Sequence, residues 1–356
     1  MLEQITKPLL SWFDANARVL PWREDPRPYR VWVSEIMLQQ TRVEAVKPYF
    51  ERFVEALPDV QALSVCSQDR LLKLWEGLGY YNRVRNMQKA AQCIMEQYGG
   101  KMPADYEKLL ALPGIGPYTA GAVASIAFQI PVPAVDGNVL RVLTRVMEDE
   151  SDITKQSVKR QMEQRLLEIM PENQAGAFNQ ALMELGAVVC VPNGAPRCTE
   201  CPLKTICLAH KNGRELKYPR KAQKKPRKIE KRTVLVIRDG EQAAIRKRPD
   251  TGLLAGLYEL PSIEGFASRE EVLWWIKQQG LSPLRIQELA DAKHIFSHIE
   301  WQMKGYVVLV DELKKYQGTD MIFVEPQQTE EQYPIPAAFA AYTDYLQIKL
   351  GQEKYE

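Results

Sequence analysis

Glu35 is the only charged residue in Val31–Leu38, VWVSEIML. At helical spacing its same-face neighbours are Val31, Trp32, Leu38 and Gln39. A carboxyl among such groups is desolvated, its pKa rises, and a raised carboxyl is what a general acid requires. A glutamate at the rim of a core helix reaching water would give the same letter, but a lone acid in so apolar a run favours chemistry. A second carboxylate stands in Val135-Asp136-Gly137-Asn138-Val139, just ahead of a helix expected to begin near Val139. Asp136 or Asn138 there serves as an ordinary helix N-cap, worth about 1 kcal/mol. Alternatively, the helix N-terminus keeps the Asp136 carboxylate ionised. One protonated and one ionised carboxyl are the pair that glycosidic-bond cleavage uses, the first protonating the leaving group and the second stabilising a cationic sugar.

Two further clusters carry chemistry. Leu112–Ala120, LPGIGPYTA, joins two helices through Gly114 and Gly116, with Pro117 suited to the first helical position. This is a helix–hairpin–helix pattern. Its exposed N–H groups suit a DNA phosphate, a contact that positions without reading sequence. A plain tight turn between helices accounts for the same residues. The spacing is not that of a P-loop, and no lysine follows the second glycine. Four of the six cysteines, Cys190, Cys198, Cys201 and Cys207, crowd into eighteen residues and predict a metal site, either zinc or an iron–sulfur cluster. Cys66 and Cys93 stand alone in apolar periodic segments and read as core.

The elements that must position these groups follow from periodicity. Helices are expected over Val43–Leu57, Leu71–Gly77, Arg83–Tyr98, Tyr106–Leu112, Gly116–Phe128, Val139–Met147, Gln156–Met170 and Ala175–Val189. Lys217–Arg232 then holds nine Lys or Arg and one acid, Glu230, and reads as a solvated linker. Beyond it, Thr233–Arg238, Ala243–Arg248 and Gly305–Val310 read as strands, and Glu270–Gln279 and Ile335–Leu350 as helices. The expected plan is multidomain: an all-α domain over residues 1–214, a basic linker over 215–232 and an α+β domain over 233–356. The 356 residues are ample for two cores. No apolar run approaches the ~20 residues that span a bilayer. The first twenty residues read as an amphipathic helix rather than a leader, so the expectation is a cytoplasmic protein, monomeric and without membrane contact.

The hairpin, VDGNV and the four-cysteine loop together resemble the helix–hairpin–helix DNA glycosylases of the endonuclease III superfamily. The likeness within that superfamily is to the adenine DNA glycosylases of the MutY type. LPWR (Leu20–Arg23), SEIMLQQTRV (Ser34–Val43), GLGYYNR (Gly77–Arg83) and the extra C-terminal domain carry it over essentially the whole chain. The resemblance implies a base excision repair enzyme, DNA-associated, that flips out and removes adenine opposite 8-oxoguanine, and guanine as well, in duplex DNA. It implies Glu35 as the acid and Asp136 as stabiliser of the oxocarbenium ion, with Tyr118 and Asn138 in the same pocket. Trp22, Arg23 and Leu38 match pocket residues, and Gln180 lies where relatives place Glu or Gln against the flipped base. Gln40 and Tyr80 match residues wedged into the duplex beside the oxidised guanine. By the same resemblance Gly114 and Gly116 hold a DNA phosphate, and the four cysteines bind a [4Fe-4S] cluster. The first cysteine interval is one residue longer than the family's, and Gly194 and Pro196 suit a bulge there. The C-terminal domain resembles a Nudix (MutT-like) fold whose hydrolase box is missing, and Phe296-Ser297-His298 matches its lesion-recognition loop. Bifunctional relatives carry a Schiff-base lysine where this chain has Tyr118, which implies a monofunctional glycosylase.

Overall fold

The computed structural model describes residues 2–222, 226–240, 242–311, 313 and 320–351. Part of the basic run, residues 223–225, therefore lies outside the described residues. Contacts divide the chain into two compact units, Met1–Val65 with Asn86–Lys224, and Cys66–Arg85 with Lys225–Glu356.

The helices up to the basic run are α1 Thr6–Asn16, α2 Pro21–Glu24, α3 Pro28–Leu38, α4 Val43–Ala56, α5 Val60–Val65, α6 Gln68–Leu74, α7 Asn82–Tyr98, α8 Tyr106–Leu110, α9 Pro117–Phe128, α10 Gly137–Met147, α11 Gln156–Leu167, α12 Ala175–Val188 and α13 Leu208–Lys211. Of these, α6 and the start of α7 belong to the second unit. Proline opens α2, α3 and α9, where a missing N–H costs nothing. Small residues let α9 bury nearly all of its circumference, and it packs against α3, α8 and α12. α10 lies against α12 and α13, and its apolar positions join those of α1 and α12 in one core around Phe178, Leu182 and Leu185. From Val43 onward the helical expectations hold within a residue or three at their ends, where fraying and capping decide the boundary, whereas the helix expected over the first twenty residues is confined to Thr6–Asn16.

In the second unit seven strands form one sheet: β1 Lys228–Arg238, β2 Ala243–Lys247, β3 Tyr258–Glu259, β4 Ser262–Glu264, β5 Pro283–Ile295, β6 Ile299–Val310 and β7 Ile322–Val324. The order is β3-β2-β1-β6-β5, with β4 on β1 and β7 on β2. β1 runs parallel to β6 and antiparallel to β2 and β4. Alternation along β1 sends Val234 and Val236 to one face, with Trp301, Phe339 and Tyr342, and Leu235 and Ile237 to the other, with Val272 and Ile276 of α14 (Arg269–Gln278). Ser268 and Glu271 form a capping box on α14, so the Glu271 carboxylate accepts from the Ser268 N–H at 2.7 Å.

The remaining elements are α15 Pro326–Gln332 and α16 Ala340–Thr343. The helix expected over Ile335–Leu350 is instead a 3-10 turn, the short α16 and a second 3-10 turn, ending at Gln347 in a left-handed conformation. Pro334 and Pro336 limit helix entry, and the apolar residues are spent singly on the sheet's first face. Segment Cys66–Arg85 is tied into this unit by polar groups: the Lys73 ammonium donates to the carbonyls of Thr329 and Tyr333, and the buried Glu76 carboxylate accepts from the N–H groups of Ile335 and Gly351.

Candidate active site and cysteine centre

Glu35 sits in the last turns of α3 and is only 5% exposed. Burial pushes its carboxyl up to about 7, aided by the nearby Asp136 charge and opposed by the Tyr118 hydrogen bond and Arg23. Tyr118, in the first turn of α9, donates its hydroxyl to Glu35 Oε2 at 2.5 Å and also touches Met183 Sδ at 3.5 Å. Burial and the two carboxylates raise the phenol well above its usual value, so Tyr118 stays a donor.

Asp136 is the N-cap of α10, its Oδ1 accepting from the Val139 N–H at 2.8 Å. Its Oδ2 accepts from Asn138 Nδ2 at 2.7 Å. Burial pushes this carboxyl up, against the Val139 and Asn138 hydrogen bonds and Arg141. Both oxygens are engaged as acceptors, a geometry that fits the ionised form. The N-cap and the catalytic readings of Asp136 are therefore compatible, since one oxygen caps and the other is held toward Asn138.

Asn138 is oriented in turn. Its Oδ1 accepts from Arg141 Nη2 at 2.8 Å, and Arg141 also donates to the carbonyls of Gly186, at 2.7 Å, and Cys190, at 2.8 Å. Gly186 is required here, because a Cβ would lie 2.6 Å from Asn138 Cβ. One buried guanidinium thus joins the Asp136–Asn138 loop to the start of the cysteine loop. Replacing Arg141 by methionine leaves these acceptors unsatisfied and is expected to cost about 3 kcal/mol. Urea titration measures that loss, and unchanged stability would contradict the clamp.

A second polar network lies on α12. Glu184, 1% exposed, accepts from Arg18 at 2.6 Å and from Arg23 at 2.9 Å. Burial acts to raise Glu184, but the two arginines win and hold it below the ordinary value. Arg23 Nε also donates to Gln180 Oε1 at 3.0 Å, and its guanidinium lies over the Phe13 ring. Trp22 is buried edge-on against Phe50, and Leu38 is half-buried at the end of α3. Arg18, Arg141 and Glu184 escape the sequence reading. The signal that marks Glu35 also marks Glu184, an isolated charge in a largely apolar helical run.

The hairpin turn is exposed at Gly114 and Gly116. Gly116 begins α9 without a side-chain cap, which leaves first-turn N–H groups open to an outside acceptor. Gly114 has φ +74, and a Cβ there would come within 2.5 Å of Asn86 Cβ. Gly114→Ala is expected to cost at least about 2 kcal/mol, from left-handed strain and overlap, and to weaken duplex binding. Denaturation and fluorescence-anisotropy titrations read the two effects separately.

All four clustered cysteines line one pocket, together with Arg145, Leu203, His210 and Glu215. None of them forms a disulfide. Arg145 Nη1 donates to Cys190 Sγ at 3.2 Å. Burial, then the Glu215 carboxylate and the neighbouring sulfurs, pushes Cys198 up to about 11, and burial with the neighbouring sulfurs pushes Cys201 up to about 12. Such a set becomes thiolate only with a cation to hold. Among the described residues, no three of these sulfurs lie within 4.8 Å of one another. A tetrahedral zinc with Zn–S bonds of ~2.3 Å needs sulfurs under ~4 Å apart, so the donor set fits a polynuclear cluster better than a single ion. Gly194 takes up the longer first interval with φ +77, and Arg197 N–H closes the loop on the Val189 carbonyl at 2.9 Å.

In the second unit, Phe296–His298 is the turn between β5 and β6, closed by Phe296 N–H on the Ile299 carbonyl. Phe296 stacks edge-on against buried Trp301 and against His294. Ser297 Oγ lies 2.9 Å from Tyr80 Oη, and both residues line a cavity of about 690 Å³ with Arg83, Arg85 and Leu254. Tyr80 and Gln40 are exposed and hold left-handed backbones, φ 48 and φ 62. His298 is exposed on the same turn.

A helical unit with a hairpin, a buried acid and a cysteine loop, joined in sequence to a Nudix-like sheet, defines a DNA glycosylase class. A model of the HhH-GPD superfamily base excision DNA repair proteins matches residues 33–168, and a NUDIX domain model matches residues 233–345. The adenine DNA glycosylase of Mus musculus is 37% identical over 85% of this chain and 70% of its own length. That of Homo sapiens is 33% identical over 97% of this chain and 74% of its length. That of Buchnera aphidicola subsp. Schizaphis graminum is 34% identical over 87% and 89%. Among solved structures, an endonuclease III–DNA covalent intermediate is similar at TM-score 0.51 and 26% identity, covering 60% of this chain and 98% of that one. A thermostable thymine-DNA glycosylase shares the fold at TM-score 0.54 and 24% identity, over 59% and 97%. The chain belongs to the adenine DNA glycosylases, hydrolases of N-glycosyl bonds that act in base excision repair. No helix among the described residues is long and apolar enough to cross a membrane.

Proposed function

We propose that this enzyme removes adenine paired with 8-oxoguanine, and with guanine, without cleaving the strand. The observation that carries the mechanism is the Glu35 carboxyl, buried, raised to about 7 and anchored by Tyr118 through one oxygen. Its protonated form delivers a proton to the departing adenine. Asp136, with both oxygens accepting hydrogen bonds, stays ionised and stabilises the oxocarbenium-like sugar. Asn138 orients that carboxylate. Tyr118 holds Glu35 and supplies no amine, so no Schiff base forms.

Trp22, Arg23, Leu38 and Gln180 form the pocket of the flipped base, with Gln180 set by Arg23. Gly114 and Gly116 present the hairpin N–H groups to a phosphate. Gln40 and Tyr80 enter the duplex beside the oxidised guanine, and their left-handed backbones support that role, since such outliers cluster at functional sites. Phe296, Ser297 and His298 read the lesion, with Ser297 as hydrogen-bonding group. Cys190, Cys198, Cys201 and Cys207 hold a [4Fe-4S] cluster. When bound, that cluster supplies a structural tie for the loop between α12 and α13.

A single-turnover assay tests the proposal on duplexes with adenine opposite 8-oxoguanine, guanine or thymine. Fast release opposite 8-oxoguanine, slower release opposite guanine and no borohydride-trapped adduct are expected. Equal rates opposite thymine would refute the lesion specificity, and a trapped adduct would refute the monofunctional chemistry.

A further inference from the structure

Within the four-cysteine pocket Cys198 also belongs to a second donor set. Cys198 opens one 3-10 turn, Glu215 opens another, and His210 lies on α13. His210 Nδ1 is 2.7 Å from Glu215 Oε1, and Cys198 Sγ is 3.7 Å from the same oxygen. The sulfur, the ring nitrogen and a carboxylate oxygen all lie within 4.8 Å of one another, and among the described residues no other His, Cys, Asp or Glu trio does so.

One sulfur, one nitrogen and one oxygen are a zinc-class donor set. Bonds of about 2.0–2.3 Å in a tetrahedron put such ligands roughly 3.2–3.7 Å apart; the Cys198–Glu215 pair already stands at that spacing, and the His210–Glu215 pair, now at hydrogen-bond distance, opens by about 0.5 Å to admit the ion. The ion would displace the Cys198 thiol proton to solvent, and His210 would present its Nδ1 lone pair, with the ring proton on Nε2. A thiolate and a carboxylate then neutralise the divalent charge. The site is open to solvent, with the His210 side chain 39% and the Glu215 side chain 20% exposed, which leaves an entry path and room for a water as fourth ligand. Its scaffold is tied by hydrogen bonds within the chain. Arg145 Nε donates to the Glu215 carbonyl at 3.0 Å, and the Arg214 N–H donates to the Ala209 carbonyl at 2.7 Å.

We propose that, in the chain before it has its iron–sulfur cluster, Cys198, His210 and Glu215 bind one zinc-class divalent cation that withholds Cys198 from the other three cysteines and blocks cluster assembly. The ion site stands on its own geometry, whereas the block on assembly rests on the cluster assignment above.

Full-length chain depleted of iron under reducing conditions is titrated with zinc alone, and with cobalt as a spectroscopic probe. One ion per chain is expected, with a cobalt charge-transfer band of one thiolate. His210→Ala and Glu215→Gln are expected to weaken zinc at least about tenfold, the loss that even outer-shell partners produce, while Cys190→Ser leaves it unchanged and circular dichroism stays the same. No binding, a band of several thiolates, or an equal loss in Cys190→Ser would overturn the site. Chain expressed in zinc-rich, iron-poor medium gives the same reading as isolated: wild type carries zinc and His210→Ala carries less, and equal zinc in both would count against it. Iron and sulfide are then added to zinc-loaded and zinc-free chain. Cluster absorbance only in the zinc-free sample is expected, and equal cluster in both would overturn the block. Absence of cluster in both would instead remove the cluster assignment and leave the zinc titration standing.

Discussion

Glu35→Gln is expected to slow single-turnover adenine release by about a hundred- to ten-thousandfold, the usual contribution of a general acid, while duplex affinity is kept. The glutamine still accepts the Tyr118 hydrogen bond, so the pocket keeps its shape. Wild-type release should fall as pH rises through about 7, because the acid must be protonated to act. The variant should lack that limb.

The same substitution has an opposite effect on stability. The folded-state value of about 7 lies above the ordinary 4.5, so between these pH values the native state holds more protons than the unfolded chain. Stability then falls as pH rises through that window, reaching a cost of about 3 kcal/mol above it. Glu35→Gln removes an ionisation that the site disfavours. It should therefore melt higher than wild type at pH 8, with the advantage vanishing near pH 4.5. A variant that keeps full activity, or that melts lower at pH 8, would defeat the assignment of a buried acid.

Asp136→Asn is the second large effect. Losing the carboxylate charge opposite the developing sugar cation should cost about a hundred- to thousandfold in rate, the scale for one preorganised electrostatic group. An asparagine Oδ1 can still accept from the Val139 N–H, so the start of α10 survives. Its amide, however, faces Asn138 Nδ2, and Arg141 holds the Asn138 oxygen elsewhere. Two donors cannot share that contact, so Asn138 must turn and release Arg141. A modest loss of stability should accompany the loss of rate, and Asp136→Asn/Arg141→Met should lose less stability than the sum of its parts. Strict additivity in denaturation would separate the two residues.

The long helices and the central strand were legible because their burial is one-sided or complete, and such burial writes a period into the letters. β5 left no such trace. As an edge strand with two irregularities in its register, it buries few side chains, and PLRIQELADAKHI is polar on both faces. The Ile335–Leu350 segment misled for the converse reason, since its apolar residues are spent one at a time on a sheet.

The sequence by itself marked out Glu35 on α3 and the glycines of the hairpin. A lone acid in an apolar helix is desolvated wherever that helix packs, and the left-handed backbone of Gly114 is a local steric need of the turn. The tertiary structure alone decided what holds these groups. Tyr118 meets Glu35 from 83 residues away, Arg141 joins Asn138 to the Cys190 carbonyl, and Glu184 fixes Arg18 and Arg23. Segment Cys66–Arg85 belongs to the second unit, whose remaining residues begin at Lys225. Hydrogen bonds of that range depend on which surfaces meet after the chain has folded, and a buried charge shows in the sequence only as a letter without its partner.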